Sequence, residues 1–320
     1  MRWFLFTRVT QSLIVLMIMS FVIYALIGLM PGDPIDLMIS ANPNMTAADA
    51  VALRELFGLD LPIYKRYLNW LGTALGGDLG YSRLFGQPVL DVLFPAMKNT
   101  VVLMGTAFIL SVCIAIPVGT FAASKPRSPI DYGVNLFAFA GISIPSFWLA
   151  LMLIIIFSVF LGWFPAGGIA TEGAPFLEQI KYMVLPVATI TIVSIGGHSR
   201  YVRSSMLEVL RQDYIRTARA KGADNNRVIW KHALRNAMIP VVTILALDFG
   251  FLFSGALITE TIYSWPGMGK LIFDSVMGND FNLALVALLF ATALTLTGNL
   301  LADICYAWLD PRIVIGGDST

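Results

Sequence analysis

Charge is scarce in this chain. Only 13% of its 320 residues are Asp, Glu, Lys or Arg, against 57% hydrophobic residues and a mean hydropathy of +0.77. A soluble chain of this length could form two domains, but this composition belongs to polytopic membrane proteins. The net charge of +1 gives no reason to expect a nucleic-acid partner. Histidine is scarcer still: His198 and His232 are the two present, and no HExxH, GxSxG or clustered Cys/His pattern occurs. Zinc-hydrolase and nucleophile-elbow chemistry therefore lack support. No GxxxxGK[ST] loop is present either, so the chain is not expected to hydrolyse ATP alone by the phosphate-loop route. The two cysteines, Cys113 and Cys305, sit inside apolar runs, where they read as small buried side chains and leave the redox compartment open.

What the sequence does have is long apolar runs. A membrane-spanning helix needs about 20 mostly apolar residues, because lipid cannot satisfy exposed backbone groups. Six stretches meet this: 9–30, 99–123, 132–161, 180–198, 236–260 and 282–308. The fourth is weakest, being short and carrying Pro186 and the Gly196–Gly197 pair. The expected fold is thus all-α and polytopic with six transmembrane helices. The first run follows a basic start at Arg2 and Arg8 without a small-residue cleavage site, and reads as a retained helix. An even number of crossings puts both ends on one side. With both termini cytoplasmic, 14 of the 21 basic residues face the cytoplasm, and the opposite side holds seven acids between Asp33 and Asp91.

On that reading the chain divides into 1–30, a cytoplasmic start and first helix; 31–98, an external excursion; 99–308, the core with a polar segment at 200–236; and 309–320, a cytoplasmic tail. Within the excursion, Thr46 to Asp49 can cap a short helix, and residues 63–71 form an amphipathic piece whose Tyr64, Tyr67 and Trp70 suit the water–lipid boundary. The excursion either shields the mouth of the bundle or contacts an external partner. Pro145 interrupts the third run and either kinks it against a neighbour or shapes a cavity. Asp248 in the fifth run should face a cavity or a partner helix, and Asp303 in the sixth can anchor to a basic group or touch substrate. Residues 260–269 read as an external turn punctuated by Pro266, Gly267 and Gly269.

The segment 200–236 carries nine Lys or Arg residues, more than any comparable stretch of the chain. It resolves into two helical pieces. Asp213 can cap the first, which runs through Lys221 and ends at Gly222, and Asp224 or Asn225 can start the second. On the second piece Val228, Trp230, Ala233, Leu234 and Ala237 approximate a buried stripe, with Arg227, Lys231 and Arg235 as a charged rail. A charge run is often a solvated face, but two short helices joined by glycine make a projecting knob suited to docking.

These residues carry a resemblance. The segment is similar to the coupling segment of binding-protein-dependent ABC importer permeases, whose pattern is Glu-Ala-Ala, three residues, Gly, nine residues, Ile-x-Leu-Pro. It falls on Arg216-Thr217-Ala218, Gly222 and His232-Ala233-Leu234-Arg235, and departs from the pattern in lacking the leading Glu and the final Pro. The fuller strings Asp213-Tyr-Ile-Arg-Thr-Ala-Arg-Ala-Lys-Gly222 and His232-Ala-Leu-Arg-Asn-Ala-Met-Ile-Pro240 resemble the dipeptide/oligopeptide/nickel permease family, B-type subunit. So do Pro31-Gly-Asp-Pro34, Phe57-Gly-Leu-Asp60, Gly77-Asp-Leu-Gly80, Thr259-Glu-Thr-Ile-Tyr-Ser-Trp-Pro-Gly-Met-Gly269 and Asp310-Pro-Arg-Ile313.

The resemblance implies a type I ABC importer permease fold in a bacterial or archaeal plasma membrane. Its implied partners are membrane lipid, a homologous second permease, two cytoplasmic ATPase subunits that bind the ATP and Mg, and an external solute-binding protein. This chain would be non-catalytic and bind no cofactor. Its cargo would be small peptides, or within the same family nickel chelates, glutathione or glycosides; a secondary transporter acting alone is the rival from another class. Asp213, Arg216, Thr217, Ala218, Arg219, Lys221 and Gly222 would couple to an ATPase, while Pro145, Asp248 and Asp303 are candidates for the passage or a subunit contact.

Overall fold

The computed structural model describes residues 2–29, 52, 55, 60–171, 173–251 and 256–309. These residues are overwhelmingly helical. The expected cap at Thr46–Asp49, the Pro31–Pro34 and Asp310–Ile313 strings and most of Phe57–Asp60 lie outside them. In chain order the helices are α1 (Arg2–Gly28), α2 (Ile63–Leu75), α3 (Val89–Ser124), α4 (Pro129–Ser143), α5 (Ser146–Leu153), α6 (Phe176–Val209), α7 (Asp213–Ala220), α8 (Leu234–Phe251), α9 (Leu257–Ile262), α10 (Met268–Met277) and α11 (Phe281–Leu309). Wide π-helical turns follow α5 at Ile154–Phe160 and precede α8 at Val228–Ala233.

Four of these helices, α1, α3, α6 and α11, are long and apolar enough to cross a membrane; a bent pair, Pro129–Ser143 with Ser146–Phe160, makes five if it is one span. The chain is therefore a multi-pass membrane protein, with four or five spans among the described residues where the sequence predicts six. The third expected span is not one continuous helix. It breaks at Ile144 and Pro145 and turns by 100°. Proline forces the residue before it out of helical geometry, and Ile144 is extended at φ −77, ψ 123. This is an elbow, sharper than a kink.

The fourth expected span is the reverse case. Helix α6 runs 34 residues, from Phe176 to Val209, and absorbs the start of the polar segment. Of the glycine pair that makes it look weak, Gly196 is a packing site. A Cβ on Gly196 would lie 2.6 Å from Ala138 O in α4, and one on Gly119 in α3 would lie 2.6 Å from Ser199 O. Small residues let these backbones cross closely, which stabilises helix association in lipid through dispersion. Helix α3 packs most extensively on α6, α4 and α8 also lie on α6, and α11 lies against α8 and α1.

Two placements differ from sequence expectation at the edges of this bundle. Tyr67 in α2 is buried, its hydroxyl 2.6 Å from Ser20 Oγ on α1 and its ring edge-on to Phe21 and Tyr24. It fastens α2 to α1, while Tyr64 stays exposed. Cys113 is exposed on α3, because the buried face of that stretch is taken by Ala107, Ser111 and Ala115 at i, i+4, i+8.

Candidate docking surface

The polar segment folds into a knob at one end of the bundle. Helix α7 ends as the sequence predicts: Gly222 takes φ +79, its N–H donates to Arg219 O and Ala223 N–H donates to Ala218 O. This is the Schellman arrangement, with glycine where an L side chain is strained. Asp224 caps the next turn, Asn225–Arg227, accepting from Asn226 N–H at 3.0 Å. Asp213 is not the cap of α7. Gln212 occupies the cap position in extended conformation without a side-chain bond, which places Asp213 in the first turn, where a carboxylate suits the helix dipole. There it pairs with Arg216 one turn on, both side chains being well exposed.

Ile215 is the main apolar anchor of α7, with Ala218 packed beside it. Ile215 is fully buried, in a cluster with Val202 and Met206 of α6, Val228 and Ile229 of the π turn, and Ala237 and Val241 of α8. Burying such a side chain is worth about 2 kcal/mol. Sequence reasoning missed it, although Ile215 and Ala218 form an apolar i, i+3 pair in an otherwise polar helix. With that face down, Arg216, Thr217, Arg219, Lys221 and Gly222 are exposed together, Ala218 is half-buried, and Tyr214 stands partly exposed with its phenol pushed up by partial burial.

The expected stripe on the second piece is only partly right. Val228, Ala233 and Ala237 are buried and Leu234 half-buried, but Ile229 is buried where Trp230 was expected. Trp230 is 39% exposed and sits edge-on to Phe121 at 5.4 Å. The π turn accounts for this, since a wider turn rotates the helix face. Arg227, Lys231 and Arg235 are all exposed.

The knob is tied to the bundle by polar contacts that the sequence alone does not reveal. Arg203 on α6 grips Asp131, which lies in the first turn of α4 and is 3% exposed. Asp131 also accepts from Arg127 N–H and Asn135 Nδ2. Ser205 Oγ donates to Ala237 O, pinning α6 to α8.

The three passage candidates have separate settings. Asp248 Oδ2 lies 2.8 Å from His198 Nε2, and His198 Nδ1 lies 3.2 Å from Ser111 Oγ, a polar chain across α8, α6 and α3. Asp303 pairs with Arg8 on α1 at 3.2 Å, the anchoring arrangement. Pro145 is exposed at the elbow between α4 and α5. A further feature escaped sequence reading. Residues 260–269 fold as a buried buckle, with fully buried Glu260 accepting from Thr100 Oγ1 at 2.7 Å and from Lys270 N–H at 3.1 Å. Trp265 and Asn99 exchange bonds with each other's segment, and buried Tyr263 reaches Thr189 and Ala150 O. The loop's tryptophan and glycines serve packing.

Known proteins resemble this chain throughout its length. Residues 115–315 match the family described as binding-protein-dependent transport system inner membrane component, and residues 1–114 match the N-terminal family of such membrane components. The oligopeptide transport system permease protein AppB of Bacillus subtilis is 41% identical over 98% of this chain and 99% of its own. The di/tripeptide transport system permease protein DppB of Pseudomonas aeruginosa is 37% identical over 91% of this chain and 92% of its own. A solved amino acid ABC transporter with histidines covers 75% of this chain and 98% of its own at 16% identity, with a TM-score of 0.48, too distant to bear on the fold.

Proposed function

Because this chain belongs to the family of binding-protein-dependent transport system inner membrane components, we propose that it forms half of the passage of an ATP-driven importer of di- or oligopeptides. The observation that carries the cargo is the near end-to-end similarity to two permeases named for oligopeptides and di/tripeptides. Its partners are a homologous second permease, two cytoplasmic ATPase subunits and an external solute-binding protein. ATP and magnesium reside on the ATPases, and both termini of this chain face the cytoplasm with the knob.

The knob supports a mechanical role. Helix α7 offers Arg216, Thr217, Arg219, Lys221 and Gly222 outward while Ile215 seats it on α6 and α8. An ATPase groove that holds this short helix pushes against a rigid lever, because the Asp131–Arg203 pair and the Ser205–Ala237 bond transmit displacement into α4, α6 and α8. Nucleotide-driven closure of the ATPases then favours one arrangement of the bundle over another, and the difference in affinity between the two states is the coupling.

Reconstitution of this chain with its second permease, ATPases and binding protein in liposomes tests the reading. Labelled peptides of two to five residues are expected to accumulate only with ATP inside the ATPase compartment. Accumulation of a nickel chelate, glutathione or a glycoside in their place would overturn the cargo, and uptake without the ATPases would overturn the coupling.

A further inference from the structure

A groove of mixed polar and apolar lining runs along α6 beside α4, and its charges are of opposite sign. One part, about 300 Å³, is lined by Phe108, Ile142, Ser194, His198, Tyr201 and Asp248. The other, about 470 Å³, is lined by Asn135, Phe139, Arg200, Arg203 and Ser204, and the two share Ile142, Gly197 and Tyr201. Ser194, Gly197, Tyr201 and Ser204 recur at helical spacing, so one face of α6 forms the floor of both.

At one end, Asp248 is held but not saturated. A carboxylate can only accept, so His198 Nε2–H donates to Oδ2, and the imidazole is fixed by Ser111 and by the edge-on ring of Phe108. Oδ1 has no hydrogen-bond partner among the described residues, and the side chain is 44% exposed. At the other end, the Arg200 guanidinium lies 4.5 Å over the Phe139 ring. Among the described residues no carboxylate pairs with Arg200, whereas neighbouring Arg203 is occupied by Asp131. Arg200 is nine residues before the end of α6, about 13 Å along its axis. It is exposed and stands where the apolar part of α6 gives way to its polar end.

An acid in one part and a guanidinium over an aromatic ring in the other, with Tyr201 shared by both linings, complement a zwitterion. A neutral glycoside would leave both charges unanswered, and a metal cation would find a single carboxylate with its histidine already turned to it. Resting on the peptide reading above, we propose that this groove is a peptide subsite of the passage, in which Asp248 receives the α-ammonium group and Arg200 the α-carboxylate.

The test uses the permease pair with its ATPases in nanodiscs, without the binding protein, whose own selectivity would mask the permease. Trialanine, N-acetyl-trialanine and trialanine amide are titrated by saturation-transfer NMR. The wild-type complex is expected to prefer trialanine to either blocked form by about tenfold, the scale of one charge-assisted hydrogen bond. Asp248→Asn should erase the preference for a free amine and keep that for a free carboxylate; Arg200→Gln should do the converse, and Asp248→Glu should restore the amine preference. Absent trialanine binding, absent discrimination in the wild type, or variants that weaken all three peptides equally would overturn the proposal. If Asp248→Asn does not assemble, the wild-type preference and the Arg200→Gln arm decide. An importer that accumulates peptides while its groove variants discriminate as the wild type does overturns the groove alone; one that accumulates none overturns the cargo.

Discussion

Arg203 holds both carboxylate oxygens of Asp131, with Nε 2.5 Å from Oδ1 and Nη2 2.8 Å from Oδ2. The two partners are unequally buried, the Asp131 side chain being 4% exposed and that of Arg203 25%. Removing one member of a buried pair strands the other, at a cost of about 3 kcal/mol or more. Arg203→Ala is therefore expected to lower the thermal midpoint of the detergent-solubilised complex more than Asp131→Ala, because it strands the deeper charge. Arg203→Met with Asp131→Leu should recover much of the loss. Equal effects of the two single substitutions, with no recovery in the double, would contradict this account.

The contact also shows where sequence reading stops. Gly222 and Asp224 are legible because their rules are local: a helix end needs a left-handed residue, and the next helix start needs an acceptor. Asp131 and Arg203 lie 72 residues apart, and no local pattern pairs them. Gly196 reads as a helix weakness until the carbonyl of Ala138 is seen against it. Pro145 is recognisable as a break, but the 100° angle depends on what α4 and α5 pack against. Trp230 is misplaced by counting 3.6 residues per turn through a π turn that the sequence does not announce.

Gly222 separates two demands on the knob. A Cβ there would meet nothing within 4 Å of this chain, so substitution costs only the left-handed conformation, about 1–2 kcal/mol for an ordinary residue and less for Asn. Gly222→Val is expected to preserve membrane abundance yet cut peptide-stimulated ATPase activity in the reconstituted importer several-fold. Gly222→Asn discriminates the cause. Recovery with Asn means that turn geometry matters, and continued loss means that the ATPase needs a surface without a side chain. Full coupling in Gly222→Val would remove this residue from the docking surface.

Ile215 is the seat of α7, and truncating it should uncouple without unfolding the bundle. Ile→Ala in a full-density core costs about 2–5 kcal/mol, more than a helix of eight residues can supply from its own hydrogen bonds. Ile215→Ala is expected to raise amide exchange across Asp213–Ala220 selectively and to lower ATP-driven uptake, while Ile215→Val stays close to wild type. Uniform exchange increases throughout α6 and α8 would instead make Ile215 a general core residue.

Arg219 and Lys221 should carry the electrostatic part of docking, since Arg216 is already paired with Asp213. Exposed charges attract over about 8–10 Å at physiological salt and are screened beyond it. Reversing both, as Arg219→Glu with Lys221→Glu, is expected to weaken capture of the ATPases by at least tenfold and to flatten its salt dependence. Arg216→Ala should do much less. Salt-independent capture by the wild type would rule out steering by these residues.

Gly267 is glycine for a reason opposite to that of Gly222. Its φ of −102 suits any residue, but an added Cβ would lie 2.5 Å from both Cδ and Oε1 of Glu260 and 2.6 Å from Oε2. The carboxylate cannot retreat, because Thr100 Oγ1 and Lys270 N–H hold it from two sides and the group is fully buried. Gly267→Ala should therefore disrupt the buckle and reduce the amount of assembled complex. Glu260→Ala removes the obstacle but leaves those donors unanswered, at about 1–3 kcal/mol each, so it should also destabilise. Combined, the two should cost less than the sum of the singles, because the clash that makes Gly267→Ala harmful needs the carboxylate. A double-mutant cycle on the thermal midpoint measures this directly; strict additivity would show that Gly267 answers to the fold of the loop and not to Glu260.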